Sequence, residues 1–252
     1  MKVWTSLAEW RAARASAGIA TRSIGFVPTM GALHTGHRAL LARARADNDI
    51  VVMSVFVNPT QFNDPADLTA YPRTLEADLA IAGPLVDHVI APPAAEVYSD
   101  DYRYRVSEWT FSRTLEGVHR PGHFDGMLTV VMRVLNLVQP HRAYFGEKDW
   151  QQLRLVEGMV KAFFMPVEII ACATERDPDG LALSSRNRRL SRDARTQAAV
   201  FPRILRTAPT AEAARAELQA RGFAVDYVED REGVRLGAIR VENVRLIDNV
   251  RL

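Results

Sequence analysis

The chain has 252 residues, a formal net charge of +2, and hydrophobic and charged fractions of 48% and 25%. This composition is typical of a globular protein with one sizeable domain or two modest ones. No long basic block is present, so no nucleic-acid partner is expected. No run reaches the roughly 20 apolar residues of a membrane helix, so we expect no membrane partner and a cytoplasmic location. The single cysteine, Cys172, excludes an internal disulfide and a CxxC metal site.

Strand-like apolar runs alternate with helical patterns along the first two thirds of the chain. Strands are predicted at SIGFVPT from Ser23, DIVVMSVFV from Asp49, VDHVIAP from Val86, HRAYFG from His141 and VEIIACAT from Val167. Helices are predicted at HRALLARARAD from His37, in LTAYPRTLEADLAIAG after Pro72, at GMLTVVMRVLNLVQ from Gly126 and at DWQQLRLVEGMVKAFF from Asp149. The second strand is apolar on both faces, as in a covered parallel sheet. The alternation predicts an α/β fold with a doubly wound parallel sheet.

The character of the sequence changes after about Thr174. The segment RDPDGLALSSRNRRLS is polar and rich in turn residues. Helices are then predicted near residues 193–205 and 211–221, and short strands at AVDYVED, AIRVEN and VRLIDN. We therefore expect two domains, residues 1–173 with the parallel sheet and residues 174–252 as a small α+β C-terminal domain.

Polar segments follow four of the predicted strands, namely PTMGALHTGH, NPTQF, GEKDWQQ and TERDPDG. The carboxyl ends of parallel strands meet at one edge of a sheet, where open α/β folds bind their ligands. We therefore expect a set of polar side chains to converge there. The set comprises His34, His37, Asn58, Gln61, Lys148, Asp149, Gln152 and Arg176.

The first of these segments has the features of a phosphate site. Gly31 and Gly36 allow a tight turn and a close approach of the backbone to a ligand. The helix that starts near Gly36 offers unpaired N–H groups and the positive end of its dipole. His34 and His37 add donors that can be cationic or neutral near pH 7 and can stabilise charge on an α-phosphate. No third His or Cys lies at a spacing suited to zinc.

The other polar segments add residues that suit a nucleotide and a small acid. Lys148 can hold a β- or γ-phosphate, and Asp149 can cap the next helix or contact a ribose or Mg²⁺. At least one of Gln151 and Gln152 is expected to face the crevice. The hydroxyls and the guanidinium of DGLALSSRN can close over a triphosphate. The amides of Asn58 and Gln61 orient hydroxyls and carboxylates rather than transfer protons, so the sequence predicts a site for a small polar acid beside a nucleotide.

Seven motifs carry a resemblance to a known family. They are PTMGALHTGH, FVNPTQF, YPRTLEADL, RPGHF, GEKDWQQL, DGLALSSRN and RLIDN, in this order between Pro28 and Asn249. Together they resemble pantothenate synthetase (pantoate–β-alanine ligase), while His34-Thr-Gly-His37 alone indicates only the HxGH nucleotidyltransferase superfamily. The resemblance implies a Rossmann-like domain over residues 1–173 that binds ATP and pantoate, a lid over residues 174–252, and a homodimer. It also implies that ATP, with Mg²⁺, and pantoate give pantoyl adenylate and pyrophosphate, after which β-alanine gives pantothenate and AMP.

The resemblance also implies roles for individual residues. His37 is the expected proton donor, and His34 and Lys148 are the other expected catalytic residues. Pantoate and β-alanine are expected to contact Gln61, Gln152, Asn58 and Met30. The expected ATP contacts are Met30, Gly31, Ala32, Leu33, His34, Thr35, Gly36, His37, Gly146, Glu147, Lys148, Asp149, Glu175, Leu183, Ser184, Ser185 and Arg186. Where the family often has Pro-Thr-Val-Arg, this chain has Ala173-Thr174-Glu175-Arg176, which places Glu175 at a position that touches adenine. The Mg²⁺ ligands stay unassigned, with Asp78 and Asp149 as candidates.

Three other functions are compatible with parts of this sequence. A nucleotidyltransferase that moves AMP onto a phosphate would use the same HxGH turn, but the amides of NPTQF do not form a basic acceptor pocket. A non-catalytic nucleotide-binding module would retain ATP binding without turnover, and the intact HTGH and GEKD argue against it. A nucleic-acid-binding role lacks a basic surface and a recognisable binding domain.

Overall fold

The computed structural model describes residues 1–252 and divides the chain into two compact units. The first unit consists of residues 1–33, 37–146 and 151–172, and the second of residues 34–36, 147–150 and 173–252. Two short pieces of the polar segments, HTG and EKDW, thus group with the C-terminal residues. The expected functional division into residues 1–173 and 174–252 stays a prediction.

The first unit contains a six-stranded sheet in which every pairing is parallel. Its strands are β1 (Lys2–Trp4), β2 (Ile24–Thr29), β3 (Ile50–Val55), β4 (His88–Ile90), β5 (Arg142–Gly146) and β6 (Glu168–Cys172). Their order is β1-β4-β3-β2-β5-β6, so the direction of winding reverses between β2 and β5. The predicted doubly wound parallel sheet is confirmed, and its topological switch point lies at the carboxyl ends of β2 and β5.

Helices alternate with the strands of this sheet along the chain, and three further helices follow in the second unit. The helices are α1 (Leu7–Arg14), α2 (Ala17–Ala20), α3 (Thr35–Asp47), α4 (Pro65–Thr69), α5 (Leu75–Ala82), α6 (Ala94–Val97), α7 (Glu116–His119), α8 (His123–Val138), α9 (Trp150–Ala162), α10 (Arg192–Ala198), α11 (Val200–Thr207) and α12 (Ala211–Ala220). The most deeply buried is α8, whose apolar side chains join those of β2 and β5 in the main core. No helix has both the length and the apolar character needed to cross a membrane.

The second unit has an antiparallel sheet of three strands. They are β7 (Ala224–Arg231), β8 (Val234–Val241) and β9 (Val244–Arg251). The turn between β7 and β8 has two residues with positive φ, Glu232 at 51° and Gly233 at 73°, as a two-residue hairpin turn requires. Helices α10, α11 and α12 supply the other half of its core, which includes Phe201, Leu205 and Leu218. The predicted small α+β arrangement is confirmed.

Some elements differ from the sequence prediction. The edge strand β1 and the short helix α4 were not predicted, because segments of three and five residues are too short to show a period. The strand expected to start at Ala238 begins at Val234, directly after the positive-φ turn. The helix predicted near residues 193–205 is two helices, which meet at Ala199.

Candidate functional site

The loop after β2 is held by one buried carboxylate of α5. Asp78 is only 1% exposed, and its two oxygens accept the backbone N–H groups of Ala32 (3.1 Å) and Leu33 (2.7 Å). Gly31 has φ +80°, and a Cβ there would lie 2.9 Å from Asp78 Oδ2. Ala32 also has a positive φ, 51°, which a non-glycine residue rarely adopts without such support. Asp78 therefore fixes the turn that leads from β2 into α3.

The hydrogen bonds of Asp78 make this residue a poor candidate for a Mg²⁺ ligand. Both oxygens of Asp78 point at backbone donors, and Thr74 Oγ1 lies 3.3 Å from each of them. A carboxylate surrounded by donors is occupied as a hydrogen-bond acceptor and is poorly suited to bind a cation. No group of three or more His, Cys, Asp or Glu side chains is arranged to hold a metal ion.

Asn58 and Gln61 lie together after β3, as predicted. Asn58 is 1% exposed, and its Nδ2 donates to Gln61 Oε1 (2.9 Å) and to the carbonyl of Gly126 (3.2 Å). Its Oδ1 accepts from Tyr98 OH (2.5 Å) and Thr60 Oγ1 (3.0 Å). With both ends of its amide engaged within the protein, Asn58 orients the Gln61 side chain. Its expected substrate contact stays a prediction.

Gln61 is held from several directions. Its Nε2 lies 3.2 Å from Met30 Sδ, which brings two of the predicted pantoate contacts together. Its backbone carbonyl lies 2.9 Å from Nδ1 of the buried His123, whose Nε2 lies 3.0 Å from Arg120. The segment around Gln61 also packs against α8 so closely that a Cβ on Gly126 would lie 2.3 Å from the carbonyl oxygen of Thr60. The supporting roles of Tyr98, Arg120 and His123 were not predicted, although RPGHF marked two of these residues.

The two glutamines at the start of α9 have different environments. Gln151 is 4% exposed; its Nε2 donates to the carbonyls of Phe111 (2.8 Å) and Thr114 (2.9 Å), and its Oε1 accepts the N–H of Glu116 (3.0 Å). Gln152 is partly exposed and forms none of these bonds. Gln151 thus organises the 111–116 segment, and Gln152 is the glutamine available to a ligand.

His37 and Gly146 lie at the switch point of the first unit. His37 is partly buried in the first turn of α3, and Gly146 is the last residue of β5. A Cβ built on Gly146 meets no atom within 4 Å, so the space beside this strand end is open. Both positions suit residues that meet a ligand at the carboxyl end of the sheet.

In the second unit, the ring of His34 experiences the charges of Lys148, Asp149 and Arg188. Its Nδ1 accepts the backbone N–H of Gly36 over 3.1 Å. Burial, followed by the charges of Lys148 and Arg188, lowers the pKa of His34 below its usual 6.5, and Asp149 partly opposes this. The imidazole is therefore neutral at pH 7 and carries its proton at Nε2, because Nδ1 is an acceptor.

The 175–186 segment contains the remaining predicted ATP contacts. The N–H of Leu183 donates to the carbonyl of Glu175 over 2.9 Å. Ser184 Oγ accepts the N–H of Arg186 (3.3 Å) and caps the short helix Ser185–Arg189. The Arg186 side chain forms no hydrogen bond or ion pair within the protein and remains available to an anion.

The side chain of Arg176 is engaged within the second unit, and its expected place in the converging polar set stays a prediction. Its guanidinium binds the buried carboxylate of Asp248 through two bonds of 2.7 and 2.9 Å. It also donates to the carbonyls of Gly180 (3.0 Å) and Asn249 (2.9 Å). Arg176 therefore has a structural role within the second unit.

Known proteins of one family are similar to this chain over nearly its whole length. A family model described as pantoate-beta-alanine ligase matches residues 2–251. The chain is 55% identical to a pantothenate synthetase of Bdellovibrio bacteriovorus over 91% of this chain and 92% of the relative, and 48% identical to one of Legionella pneumophila over 99% of both. Among solved structures it is similar to a pantoate-beta-alanine ligase of Francisella tularensis complexed with beta-gamma ATP and beta-alanine (TM-score 0.94, 40% identity, 100% of this chain and 97% of that chain). It is also similar to a pantothenate synthetase of Thermus thermophilus (TM-score 0.90, 42% identity, 100% of this chain and 99% of that chain).

Proposed function

The chain belongs to the pantoate–β-alanine ligase family and is an ATP-dependent ligase that joins pantoate to β-alanine; we propose that it does so through a pantoyl-adenylate intermediate. In the first step, a carboxylate oxygen of pantoate attacks the α-phosphorus of ATP. The bond between that phosphorus and the bridging oxygen breaks, and pyrophosphate leaves. Because the carboxylate is already ionised at pH 7, this step needs no general base.

The observation that carries this proposal is the hydrogen bond from the Gly36 N–H to His34 Nδ1, which directs the other ring nitrogen away from the backbone of α3, in the field of the Lys148 charge. The Nε2–H of His34 donates to a phosphate oxygen without adding a second full charge, and Lys148 supplies the positive charge that a triphosphate requires. The start of α3 adds backbone N–H groups and the positive end of its dipole. His37, in the first turn of α3, is proposed as the proton donor toward the departing phosphate groups.

The other expected ATP contacts are proposed with the roles that their positions favour. Gly31, Ala32 and Leu33 are proposed to contact ATP from the turn before α3, and Thr35 and Gly36 from the first turn of that helix. Gly146 allows close approach of a ligand to the end of β5. Arg186, with Ser184 and Ser185, is proposed to bind phosphate oxygens. Glu147, Asp149, Glu175 and Leu183 complete the proposed set of ATP contacts.

Pantoate is proposed to bind through Gln61 and Gln152. The amide of Gln61 is fixed by Asn58, so its orientation is set before the substrate arrives. Met30, which lies against Gln61 Nε2, offers an apolar surface to the aliphatic part of pantoate.

In the second step, the neutral amine of β-alanine attacks the acyl carbon of pantoyl adenylate. A C–N bond forms, the C–O bond to AMP breaks, and the nitrogen loses a proton to solvent. A general base is optional because AMP is a good leaving group. Gln61 is proposed to lie near β-alanine as well as pantoate.

Mg²⁺, a homodimeric state and a cytoplasmic location complete the proposal. Mg²⁺ usually binds through substrate phosphates, one or two carboxylates and several waters, so it needs no cage of protein ligands. It would supply charge neutralisation on the phosphates. Asp149, whose side chain is 50% exposed, is the candidate carboxylate.

The test measures exchange of labelled pyrophosphate into ATP with and without pantoate, followed by AMP release on addition of β-alanine. Exchange that requires pantoate, together with AMP release that requires β-alanine, would establish both half-reactions. Exchange that is absent with every hydroxy acid tried, despite ATP binding, would contradict the adenylate intermediate.

A further inference from the structure

We propose that Asn249 is a positioning residue for Lys148, and that it holds the turn carrying this lysine in the conformation that ATP requires. The inference rests on the proposed role of Lys148 as a phosphate ligand. Asn249 lies near the end of β9, about a hundred residues from Lys148 along the chain, and is only 9% exposed.

The contact is made by one amide group. Asn249 Nδ2 donates to the carbonyl oxygens of two consecutive residues, Glu147 (2.9 Å) and Lys148 (3.0 Å). Both of its hydrogens are therefore used on the backbone of a single turn. Because the turn is held by its own peptide groups, the backbone of Lys148 is fixed, and the position from which its side chain extends is set.

The backbone of Asn249 is itself fixed by its neighbours. Its backbone N–H donates to Asp248 Oδ1 over 2.7 Å, and its backbone carbonyl accepts a bond of 2.9 Å from Arg176. Arg176 is paired in turn with the carboxylate of Asp248, whose side chain is 1% exposed. These three residues therefore form a rigid support beneath the Lys148 turn.

Arg176 also connects Asn249 to a second segment with predicted ATP contacts. An isolated antiparallel β-bridge pairs the backbone of Arg176 with that of Ala182, and the N–H of Leu183 donates to the carbonyl of Glu175. Asn249 and its neighbours thus set the Lys148 turn and the 175–183 segment relative to each other within the second unit. A ligand that contacts both segments would lose affinity if this relation changed.

The experiment compares Asn249→Leu with wild type in both half-reactions. Leucine keeps the branching of the side chain but has no donor, so the turn loses two hydrogen bonds without a large cavity. We expect the KM for ATP to rise about 5- to 20-fold and the rate of pantoate-dependent pyrophosphate exchange to fall about 10- to 100-fold. The β-alanine step, measured with supplied pantoyl adenylate, should stay within about twofold of wild type.

Arg251→Gln is the matched control. Arg251 pairs with Glu147 Oε1 (2.7 Å) on the same turn, but its side chain is 80% exposed and its bond does not reach the backbone. This variant should keep the wild-type KM for ATP. If Asn249→Leu fails to fold, Asn249→Asp keeps the size of the side chain and removes the same donors, and the same change in KM is expected.

The outcomes separate this inference from the proposed function. A soluble Asn249 variant with an unchanged KM for ATP, or with both half-reactions reduced in proportion, would overturn the positioning role. Wild-type protein without pantoate-dependent exchange would contradict the adenylate proposal instead. In that case, equilibrium titration with ATP still tests Asn249, because weaker binding by the variant supports the inference and equal binding overturns it.

Discussion

The imidazole of His34 lies directly against Gly36, so that a Cβ on this glycine would be 2.9 Å from His34 Cε1 and 3.0 Å from Nδ1. The backbone N–H of Gly36 donates to the same Nδ1. Gly36 does not have a positive φ, so its value lies in the space that it leaves rather than in its backbone freedom. The small residue at the start of α3 therefore fixes both the position and the tautomer of His34.

Gly36→Ala should lower the rate of pyrophosphate exchange about 10- to 100-fold, because the added methyl displaces the imidazole. The thermal unfolding temperature should change little, since alanine is well suited to a helical backbone. Gly158→Ala is the control, because a Cβ at that position in α9 meets nothing within 4 Å. Wild-type exchange in Gly36→Ala would show that the position of His34 does not matter to the first step.

The protonation of His34 can be followed by NMR titration of its ring. We expect a midpoint below 6.5, because burial and the nearby Lys148 and Arg188 disfavour the imidazolium. Lys148→Met should move the midpoint upward, although burial keeps it under 6.5. A midpoint above 6.5 in the wild type would contradict the neutral imidazole proposed for adenylate formation.

The lowered pKa of His34 also gives a sign for the pH dependence of stability. The folded state binds this proton less readily than the unfolded state, so the contribution of His34 is fully present above pH 6.5. It is lost as the pH falls from 6.5 through the lower folded pKa. Urea unfolding of wild type and His34→Gln should therefore differ in slope against pH on the acid side of 6.5 and run parallel above it.

Asp78→Asn should lower the free energy of unfolding by about 1–3 kcal/mol, because one backbone N–H of the Ala32–Leu33 pair then faces another donor. Urea titration measures this effect, with Glu76→Gln on the exposed side of α5 as the control. Pyrophosphate exchange should fall while the Mg²⁺ concentration for half-maximal rate stays unchanged. A large rise in that concentration would instead identify Asp78 as a metal ligand.

Gln151 and Gln152 provide a matched pair of substitutions. Gln151→Ala should lower the free energy of unfolding by about 2–3 kcal/mol, since it leaves buried backbone groups of the 111–116 segment unpaired. Gln152→Ala should leave the unfolding free energy nearly unchanged and raise the KM for pantoate about 10-fold, as expected for one lost hydrogen bond. The reverse pattern would exchange the two roles.

Much of the first unit could be predicted from local sequence. The two-faced apolar run IVVMSV predicts a covered parallel strand, and its parallel pairing with β2 and β4 confirms this. The edge strand β1 could not be predicted, because Lys2–Trp4 is ordered by pairing with β4, whose residues 88–90 lie far along the chain. Such pairing depends on the completed sheet and has no local period.

The contacts that support the candidate site could not be predicted from the local sequence pattern either. Helical spacing places both Gln151 and Gln152 in the first turn of α9 but does not show which of them the 111–116 segment covers. The role of Asp78 depends on two backbone donors that lie 45 and 46 residues away along the chain. Motifs therefore located the polar residues, while the tertiary structure decides which of them are occupied internally and which face a ligand.

The close packing of α8 against the Gln61 segment limits how this protein can be redesigned. Any side chain at position 126 would overlap the carbonyl oxygen of Thr60, only 2.3 Å from the place of a Cβ. A fully randomised library at this position should therefore return glycine alone when selected for the folded protein. Attempts to widen the acid specificity must leave this helix face untouched and alter side chains that are proposed to contact the acid, such as Met30 or Gln152.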